Sequence, residues 1–294
     1  LTDTKLSRKF EQTPFVPSAK DDLSRRCKEI ITMQATGLAT RLAHTGIKNV
    51  VLGLSGGLDS TLALIVCVHA FDMLGIDRKN IHTVTMPCFG TTKRTKSNAE
   101  KLAEAYNVSF EEINITAAVR QHFIDIKHDE SVTDITYENS QARERTKILM
   151  NLSNKYGGLV IGTGDLSELA LGWATYNGDH MSMYAVNVSI PKTLVRYLTA
   201  YEAEISDGEL KTVLLDVLDT PVSPELLPPD KNGEIAQKTE DVVGPYELHD
   251  FFLYYFVRFG FTPSKIYYLA KHSFAGKYNN DTIKKWLVTF LKRF

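Results

Sequence analysis

Short apolar stretches alternate with longer segments of helical periodicity along the first part of the chain. Stretches 50–52, 81–87, 110–115 and 159–163 have the length and the apolar or alternating pattern of β-strands. A helix is predicted before the first of them, from residue 18 to near residue 46, and further helices follow the strands. Because strands and helices alternate, we predict an α/β fold with a doubly wound parallel sheet, in which loops at the carboxyl ends of the strands line one cleft.

The two ends of the chain have different patterns. Residues 1–17 end in Thr-Pro-Phe-Val-Pro, whose prolines favour an extended connector, and we interpret them as a linker to a domain spanning residues 18–294. Residues 219–245 concentrate proline, glycine and charge with little periodicity, which indicates a functional lid or disorder. Residues 246–294 predict a helical C-terminal region, whose many aromatic residues belong to a packed core or to a subunit interface.

The segment 50–60, VVLGLSGGLDS, carries the clearest chemical signal. A strand leads through adjacent glycines into an apolar helix, so backbone N–H groups converge at a helix N-terminus, where they attract an anion. Ser55 and Ser60 add hydroxyl donors, and a phosphate is the expected ligand. Asp59 stands in the first helical turn, and a carboxylate beside phosphates needs a cation, which predicts Mg²⁺. A tight glycine turn capped by Asp59 is the alternative that needs no ligand.

The sequence SGGLDS at 55–60 resembles the pyrophosphate loop (PP-loop) of the ATP pyrophosphatases, enzymes that cleave ATP between its α and β phosphates. The resemblance implies a Rossmann-like fold of the adenine nucleotide alpha hydrolase type and a loop that binds ATP. The implied ATP-binding residues of the loop are Gly53, Leu54, Ser55, Gly56, Gly57, Asp59 and Ser60. This family includes synthetases for NAD, GMP, asparagine and argininosuccinate and also tRNA-modifying enzymes, so the first motif leaves the substrate open.

A second strand leads through glycine into a helix that carries Asp165 and Glu168. These carboxylates are predicted at the same sheet edge as Asp59 and suggest a metal site, although complementing the helix dipole would also explain them. The sequence GTGDLSELALGWATY, residues 162–176, closely resembles the synthetase domain of the glutamine-dependent NAD synthetases. The resemblance implies that Thr163 contacts ATP and that Glu168 serves the substrate and, with Asp59, the metal.

The same resemblance implies roles for residues whose amino-acid type alone does not indicate a function. The implied substrate contacts are Asn139, Arg143, Trp173 and Tyr176, with Gln141 and Arg145 on matching positions. Lys192 would hold the ATP phosphates as a catalytic residue, and Asp179 would bind ammonium and take its proton. Ser223 and Glu225 match a mobile loop that closes over ATP, Ser223 as an ATP-binding residue. A solvated helix face, aromatic core packing and turn chemistry are the ordinary explanations for such residues.

Composition limits the partners. The chain has 294 residues, 43% of them hydrophobic, and its 34 Lys and Arg nearly balance its 35 Asp and Glu. The chain therefore has no overall positive charge that would attract nucleic acid or an anionic membrane. No apolar run approaches the ~18 residues needed to span a bilayer. Its three cysteines lack C-x-x-C spacing, and Cys27 and Cys67 fall in apolar helical patterns, which predicts buried thiols and a cytoplasmic protein.

Over essentially the whole chain, the resemblance implies an NAD synthetase that uses ATP and Mg²⁺. The carboxylate of deamido-NAD (nicotinic acid adenine dinucleotide) would attack the α-phosphorus of ATP and expel pyrophosphate, and ammonia would then displace AMP from the adenylate to give NAD. Deamido-NAD and ammonia are the implied partners, and the family implies a homodimer. Ammonia is expected because no cysteine has visible acid–base partners, whereas the glutamine-using members carry an amidase domain, which could precede this chain in a longer protein.

Family members also continue past the position of Phe294 with a basic segment that touches the substrate, so substrate binding is expected to be incomplete in this chain. Three other functions stay open. GMP synthetase or another ATP pyrophosphatase would carry a purine-ribotide site in place of the second motif. A tRNA-modifying enzyme would carry a basic face and an RNA-binding domain. A nucleotide sensor would bind ATP without releasing pyrophosphate.

Overall fold

A parallel β-sheet organises the described part of the chain, which in this computed structural model comprises residues 6–17, 20–91, 93–220, 226 and 243–294. The five strands found there are β1 (Val50–Gly53), β2 (Ile81–Thr85), β3 (Ser109–Glu112), β4 (Leu159–Gly162) and β5 (Tyr184–Ala185). They lie in the order β3-β2-β1-β4-β5, and each neighbouring pair is parallel. The four strands expected from the sequence are confirmed, whereas the two residues of β5 are too few to show a periodicity.

Helices connect the strands and continue beyond the sheet. In chain order they are α1 (Lys20–Thr45), α2 (Leu58–Leu74), α3 (Lys93–Ala105), α4 (Thr116–Ile126), α5 (Ile135–Tyr156), α6 (Leu166–Leu171), α7 (Lys192–Ile205), α8 (Gly208–Asp219), α9 (Tyr246–Leu253), α10 (Pro263–Ser273) and α11 (Asn280–Arg293). A 3₁₀ turn, Arg78–Asn80, precedes β2, and a π-helical turn, Tyr254–Arg258, follows α9. Within the described residues, no helix has the length and apolarity that crossing a membrane requires.

The two faces of the sheet are covered by different helices. In β1, Val50 and Leu52 belong to the apolar cluster that includes residues of α1, α2, α7 and α8. Val51, between them, belongs to a second cluster that includes residues of α4 and α5. All three side chains are fully buried, as a central strand of a parallel sheet requires. This arrangement confirms the doubly wound α/β fold.

The C-terminal helices enclose an apolar core of their own. Phe251, Phe252, Phe274 and Phe290 are fully buried within it. The aromatic residues of α9 therefore belong to a packed core and not to a subunit interface. Phe259, just beyond it, is 49% exposed. The helical C-terminal region is confirmed.

Residues 6–17 form neither a helix nor a strand, and part of the segment lies against these C-terminal helices, whereas Val16 belongs to the apolar cluster of the sheet. The ring of Phe10 contacts Tyr255 with centroids 5.9 Å apart, and Phe15 contacts Tyr254 at 5.0 Å. Gln12 donates a hydrogen bond to the carbonyl of the last residue of α10 at 2.7 Å. The segment is thus attached to the C-terminal core, and its role as a linker to another domain stays a prediction.

The buried His249 is expected to make stability depend on pH. Its Nε2–H donates to the carbonyl of Val243 at 2.6 Å, and burial lowers its pKa from 6.5 to about 4. Above pH 6.5 the side chain is neutral in both states, so this group adds no pH dependence. As the pH falls from 6.5 towards 4, only the unfolded chain gains the proton, and stability should fall, by about 2 kcal/mol at pH 5.

Urea unfolding of the wild type and of His249→Gln at pH 7.5 and pH 5 checks this expectation. The variant should lose less stability than the wild type between the two pH values, because it has no imidazole to protonate. Equal losses in the two proteins would contradict the assignment to His249.

Candidate functional site

A cavity of about 590 Å³ opens at the carboxyl ends of β1, β2 and β4. The loops that follow these three strands contribute to its wall, which confirms the cleft expected from the sequence. Most of the predicted site residues line it, namely Gly53, Leu54, Ser55, Gly57, Asp59, Ser60, Asn139, Thr163, Glu168, Trp173, Asp179 and Lys192.

The loop after β1 is held in shape by its own serine hydroxyls. Ser55 Oγ lies 3.1 Å from Ser60 Oγ and accepts the N–H of Gly57 at 3.2 Å. Ser60 Oγ in turn donates to the carbonyl of Gly57 at 3.1 Å. Gly57 is the N-cap of α2, and no described side chain caps that helix, so N–H groups of its first turn stay available to an anion.

Gly56 serves the loop in a different way from the expected one. Its φ of +84° lies in the region that favours glycine, and it does not line the cavity. A Cβ at this position would lie 2.1 Å from the carbonyl oxygen of Thr95 in α3. The residue therefore allows the loop to pack closely against the backbone of the neighbouring helix.

Lys192 brings together three carboxylates at one end of the cavity. Its Nζ lies 2.7 Å from Asp59 Oδ2, 2.7 Å from Asp165 Oδ2 and 2.9 Å from Glu168 Oε1. Asp59 stands in the first turn of α2, Asp165 and Glu168 at the start of α6, and Lys192 at the start of α7. The fold thus places residues from three helix N-termini in one charge cluster.

The charge cluster places one ammonium among three carboxyl groups. Burial raises the pKa of Asp165 well above its usual value and raises that of Glu168 as well, against the opposing effect of Lys192. Burial by itself would lower the pKa of Lys192, but the three carboxylates, first Asp59, raise it well above its usual value. The lysine is therefore held as a cation at the centre of the three carboxyl groups.

The donor set fits a divalent cation. Single oxygen atoms of Asp59, Asp165 and Glu168 lie within 4.8 Å of one another. Asp59 Oδ1 is buried and accepts a hydrogen bond from no described residue, so it has an unused acceptor at the cluster. Carboxylate oxygens are the ligands that Mg²⁺ and Ca²⁺ prefer. These residues could therefore hold such an ion beside the loop of residues 53–60.

Asp165 caps its own helix and also faces the cluster, and its role as a metal ligand stays a prediction. Its Oδ1 accepts the N–H of Glu168 at 2.9 Å and so caps α6, while its Oδ2 faces Lys192. The predicted metal pair, Asp59 and Glu168, did not include it. The sequence could have predicted Asp165 as a third carboxylate of the set. A capping carboxylate uses only one of its two oxygens for the cap, which leaves the other oxygen for a second contact.

The other predicted residues in the cavity lie farther along its wall. Asp179 accepts the N–H of Thr175 at 2.6 Å, and Thr175 Oγ1 donates to Asn139 Oδ1 at 2.7 Å. Asp179 reaches the surface, but the protein around its carboxylate displaces water and raises its pKa. The ring of Trp173 lies 5.4 Å from the guanidinium of Arg293, which also lines the cavity.

Two predicted substrate contacts lie outside this cavity. Arg143 Nε donates to the carbonyl of Tyr176 at 3.2 Å, and the Tyr176 side chain is largely exposed. Arg143 lines a separate groove of about 510 Å³ between α4 and α5. Of the two matching positions, Arg145 lines the main cavity, whereas the buried Gln141 donates to the carbonyl of Leu226. Ser223, Glu225 and most of the predicted lid lie outside the described residues.

Asn187 is a site residue that the sequence analysis missed. Its Nδ2 donates to the backbone carbonyls of Asp59 at 2.9 Å and Thr163 at 3.1 Å, so it joins the loops after β1 and β4. Gln34 of α1 donates to its Oδ1 at 3.3 Å. A single asparagine between short elements belongs to no motif, and no sequence signal could have indicated these contacts.

Comparison with known proteins identifies the family. A family model described as NAD synthase matches residues 30–264. The glutamine-dependent NAD(+) synthetase of Mycobacterium bovis is 44% identical over 317 aligned positions, which cover 99% of this chain and 46% of that protein. Among solved structures, the glutamine-dependent NAD+ synthetase from Acinetobacter baumannii in complex with ADP matches with a TM-score of 0.59 and 27% identity, over 91% of this chain and 44% of that one.

A likeness in fold extends to a shorter enzyme. The NH3-dependent NAD synthetase from Campylobacter jejuni matches with a TM-score of 0.58 at 22% identity, over 86% of this chain and 97% of that one. This chain spans about half the length of the curated relatives it matches. Since the family model covers most of the chain, and both motifs lie in one cavity, the chain belongs to the NAD synthase family.

Proposed function

We propose that this chain catalyses the ATP-dependent amidation of deamido-NAD to NAD, with release of AMP and pyrophosphate. The observation that carries the proposal is that the glycine loop of residues 53–60 and a cluster of three carboxylates with a lysine share one cavity, in a chain of the NAD synthase family. This combination suits a reaction that must bind a polyphosphate, neutralise its charge and bring a second substrate to it.

In the first step, the loop of residues 53–60 binds the phosphates of ATP through its N–H groups and serine hydroxyls. Lys192 lies beside the loop and places a positive charge where pyrophosphate leaves. Asp59, Asp165 and Glu168 would hold Mg²⁺, which would supply charge stabilisation to the departing pyrophosphate. The substrate carboxylate becomes a mixed anhydride with AMP, which is a far better electrophile than the carboxylate.

In the second step, ammonia attacks this adenylate, and Asp179 is the residue proposed to bind ammonium and take its proton. The raised pKa of Asp179 supports this role, because a carboxylate of higher pKa is a stronger base towards ammonium. Trp173 offers a flat ring for the nicotinic-acid end, and Asn139 lines the same cavity. Arg143 and Tyr176 then bind the part of the dinucleotide that extends beyond the cavity.

Two features of the assembly are also proposed. The chain acts as a homodimer in the cytoplasm, with small-molecule substrates and without nucleic acid. In a longer protein, a glutamine amidase domain would precede residues 1–17 and supply ammonia to the domain at 18–294. The match to half the length of glutamine-dependent relatives supports this arrangement.

One assay tests the proposed function. Pyrophosphate release from ATP is measured with deamido-NAD and ammonium, and in parallel with xanthosine monophosphate or aspartate as the rival acceptor. Release that depends on deamido-NAD, with NAD formed in equal amount, is the expected result. Release with a rival acceptor would assign the chain to another ATP pyrophosphatase, and ATP binding without release would make it a sensor.

We expect ammonium to support NAD formation by this chain and glutamine to fail. Glutamine hydrolysis needs an activated nucleophile, and burial raises the pKa of each of the three thiols, that of Cys27 to about 11. Cys27 and Cys67 are also inaccessible. The measurement compares NAD formed with each nitrogen donor at saturating ATP and deamido-NAD. Glutamine-driven synthesis at the ammonium rate would show that the chain contains a nucleophile of its own.

A further inference from the structure

Asp250 connects the C-terminal core to the helix starts that carry Glu168 and Lys192. Its side chain, in α9, is completely buried and does not line the cavity. Oδ1 accepts a short hydrogen bond from the hydroxyl of Ser167. Oδ2 accepts both the backbone N–H of Thr193 at 2.9 Å and its hydroxyl at 2.6 Å. One carboxylate thus binds the first turns of both α6 and α7.

The start of α7 depends on these contacts for its hydrogen bonds. Pro191 is the N-cap, and no described side chain caps the helix from within. Instead, Ser167 Oγ accepts the N–H of Lys192 at 2.9 Å, and Asp250 accepts that of Thr193. First-turn N–H groups have no partner inside a helix, so these two residues of other helices replace the missing cap. The Asp250 carboxylate also complements the positive end of the α7 dipole.

The contacts reach the charge cluster through single peptide bonds. Ser167 precedes Glu168, and Thr193 follows Lys192. A movement of either helix start therefore moves a charged group of the cluster. Lys192 Nζ makes all three of its carboxylate contacts at 2.7–2.9 Å, so a small displacement cannot preserve them together.

We propose that Asp250 is a positioning residue, which fixes the first turns of α6 and α7 and thereby holds the Lys192 ammonium against the carboxylates of the charge cluster. The inference rests on the proposed function and adds to it a residue of the C-terminal core. Asp250 touches neither the cavity nor a reacting group, so its loss should lower kcat and leave KM for ATP and deamido-NAD within twofold. A misplacement of about 1 Å typically costs ~100-fold in rate.

The test compares variants that remove the contacts in steps. Asp250→Ala removes all three hydrogen bonds and should lower kcat ~100-fold, while Asp250→Asn keeps the shape and one acceptor oxygen and should recover part of that loss. Ser167→Ala removes the acceptor of the Lys192 N–H and should also lower kcat, which keeps the test valid if Asp250→Ala fails to fold. A rise in KM with unchanged kcat in the variants that fold would overturn the proposal.

His249→Gln is the matched control. His249 is the neighbouring residue, equally buried, but it faces Trp286 and Phe290 and does not face the starts of α6 and α7. The His249→Gln substitution should destabilise the C-terminal core, while kcat stays within twofold of the wild-type value. If it lowers kcat as much as Asp250→Asn at equal loss of stability, Asp250 has only a structural role.

Hydrogen exchange at the backbone amides of Lys192 and Thr193 separates this inference from the proposed function, since it needs no substrate. Exchange at both amides should rise at least tenfold in Asp250→Asn or Ser167→Ala and stay at the wild-type rate in His249→Gln. Unchanged exchange in all variants would overturn the positioning role, even with NAD synthesis intact. Faster exchange in Asp250→Asn and Ser167→Ala, combined with a wild-type chain that makes no NAD, would reject the proposed function and keep the positioning contact.

Discussion

Asp59→Asn and Glu168→Gln are each expected to lower pyrophosphate release about 10³-fold, which corresponds to about 4 kcal/mol of transition-state stabilisation. Each change removes one of the three carboxylates that face Lys192 and that are proposed to hold the cation on the pyrophosphate. The amides keep the shape of the side chains, so the fold should survive. The measurement is pyrophosphate release as a function of Mg²⁺ concentration, together with the urea unfolding midpoint.

Asp72→Asn is the matched control for Asp59→Asn. Asp72 lies in the same helix, α2, near its other end, where it pairs with Arg78 at 2.7 Å and is about half exposed. Exposed ion pairs contribute little to stability, and this variant should keep the wild-type rate and Mg²⁺ dependence. Turnover and Mg²⁺ dependence like the wild type in the two cluster variants would remove the proposed metal assignment.

Gly56→Ala should destabilise the fold by about 3 kcal/mol and lower pyrophosphate release ~100-fold. Two costs combine at this position. The backbone φ of +84° disfavours a side chain, and the new Cβ would lie 2.1 Å from a backbone carbonyl of α3, which cannot rotate away as a side chain could. The loop must therefore move away from α3, and its N–H groups then lose their common direction. Urea unfolding and pyrophosphate release measure the two effects.

Gly75→Ala separates conformational strain from the steric clash. Gly75 caps the other end of α2 with a φ of +62°, but a Cβ there would meet no atom within 4 Å. This control should cost about 1 kcal/mol for the left-handed backbone alone and leave the rate unchanged. If Gly56→Ala were no more destabilising than Gly75→Ala, the close contact with α3 would have no energetic importance.

Much of the fold could be predicted from local pattern. A central parallel strand is buried on both faces, so β1 appears as an unbroken apolar run, and glycines must follow it where the chain turns into α2. The same pattern predicted β4 and α6. It therefore also predicted that Asp59, Thr163 and Glu168 lie at one sheet edge. These features follow from the sequence because strand length and helical spacing involve only residues close together in the chain, and the carboxyl ends of parallel strands share one sheet edge whatever their distance along the chain.

The sequence by itself therefore determined four of the five described strands, the glycine loop after β1 and the two segments that bring carboxylates to it. The tertiary structure alone decided how these parts are held together. Lys192 meets Asp59 across 133 positions of sequence, Asn187 joins two loops, and Asp250 reaches Ser167 from a helix 83 positions away. Such residues match no periodicity, because a buried polar side chain is specified by the partners that satisfy its hydrogen bonds, and those partners become neighbours only when the helices pack.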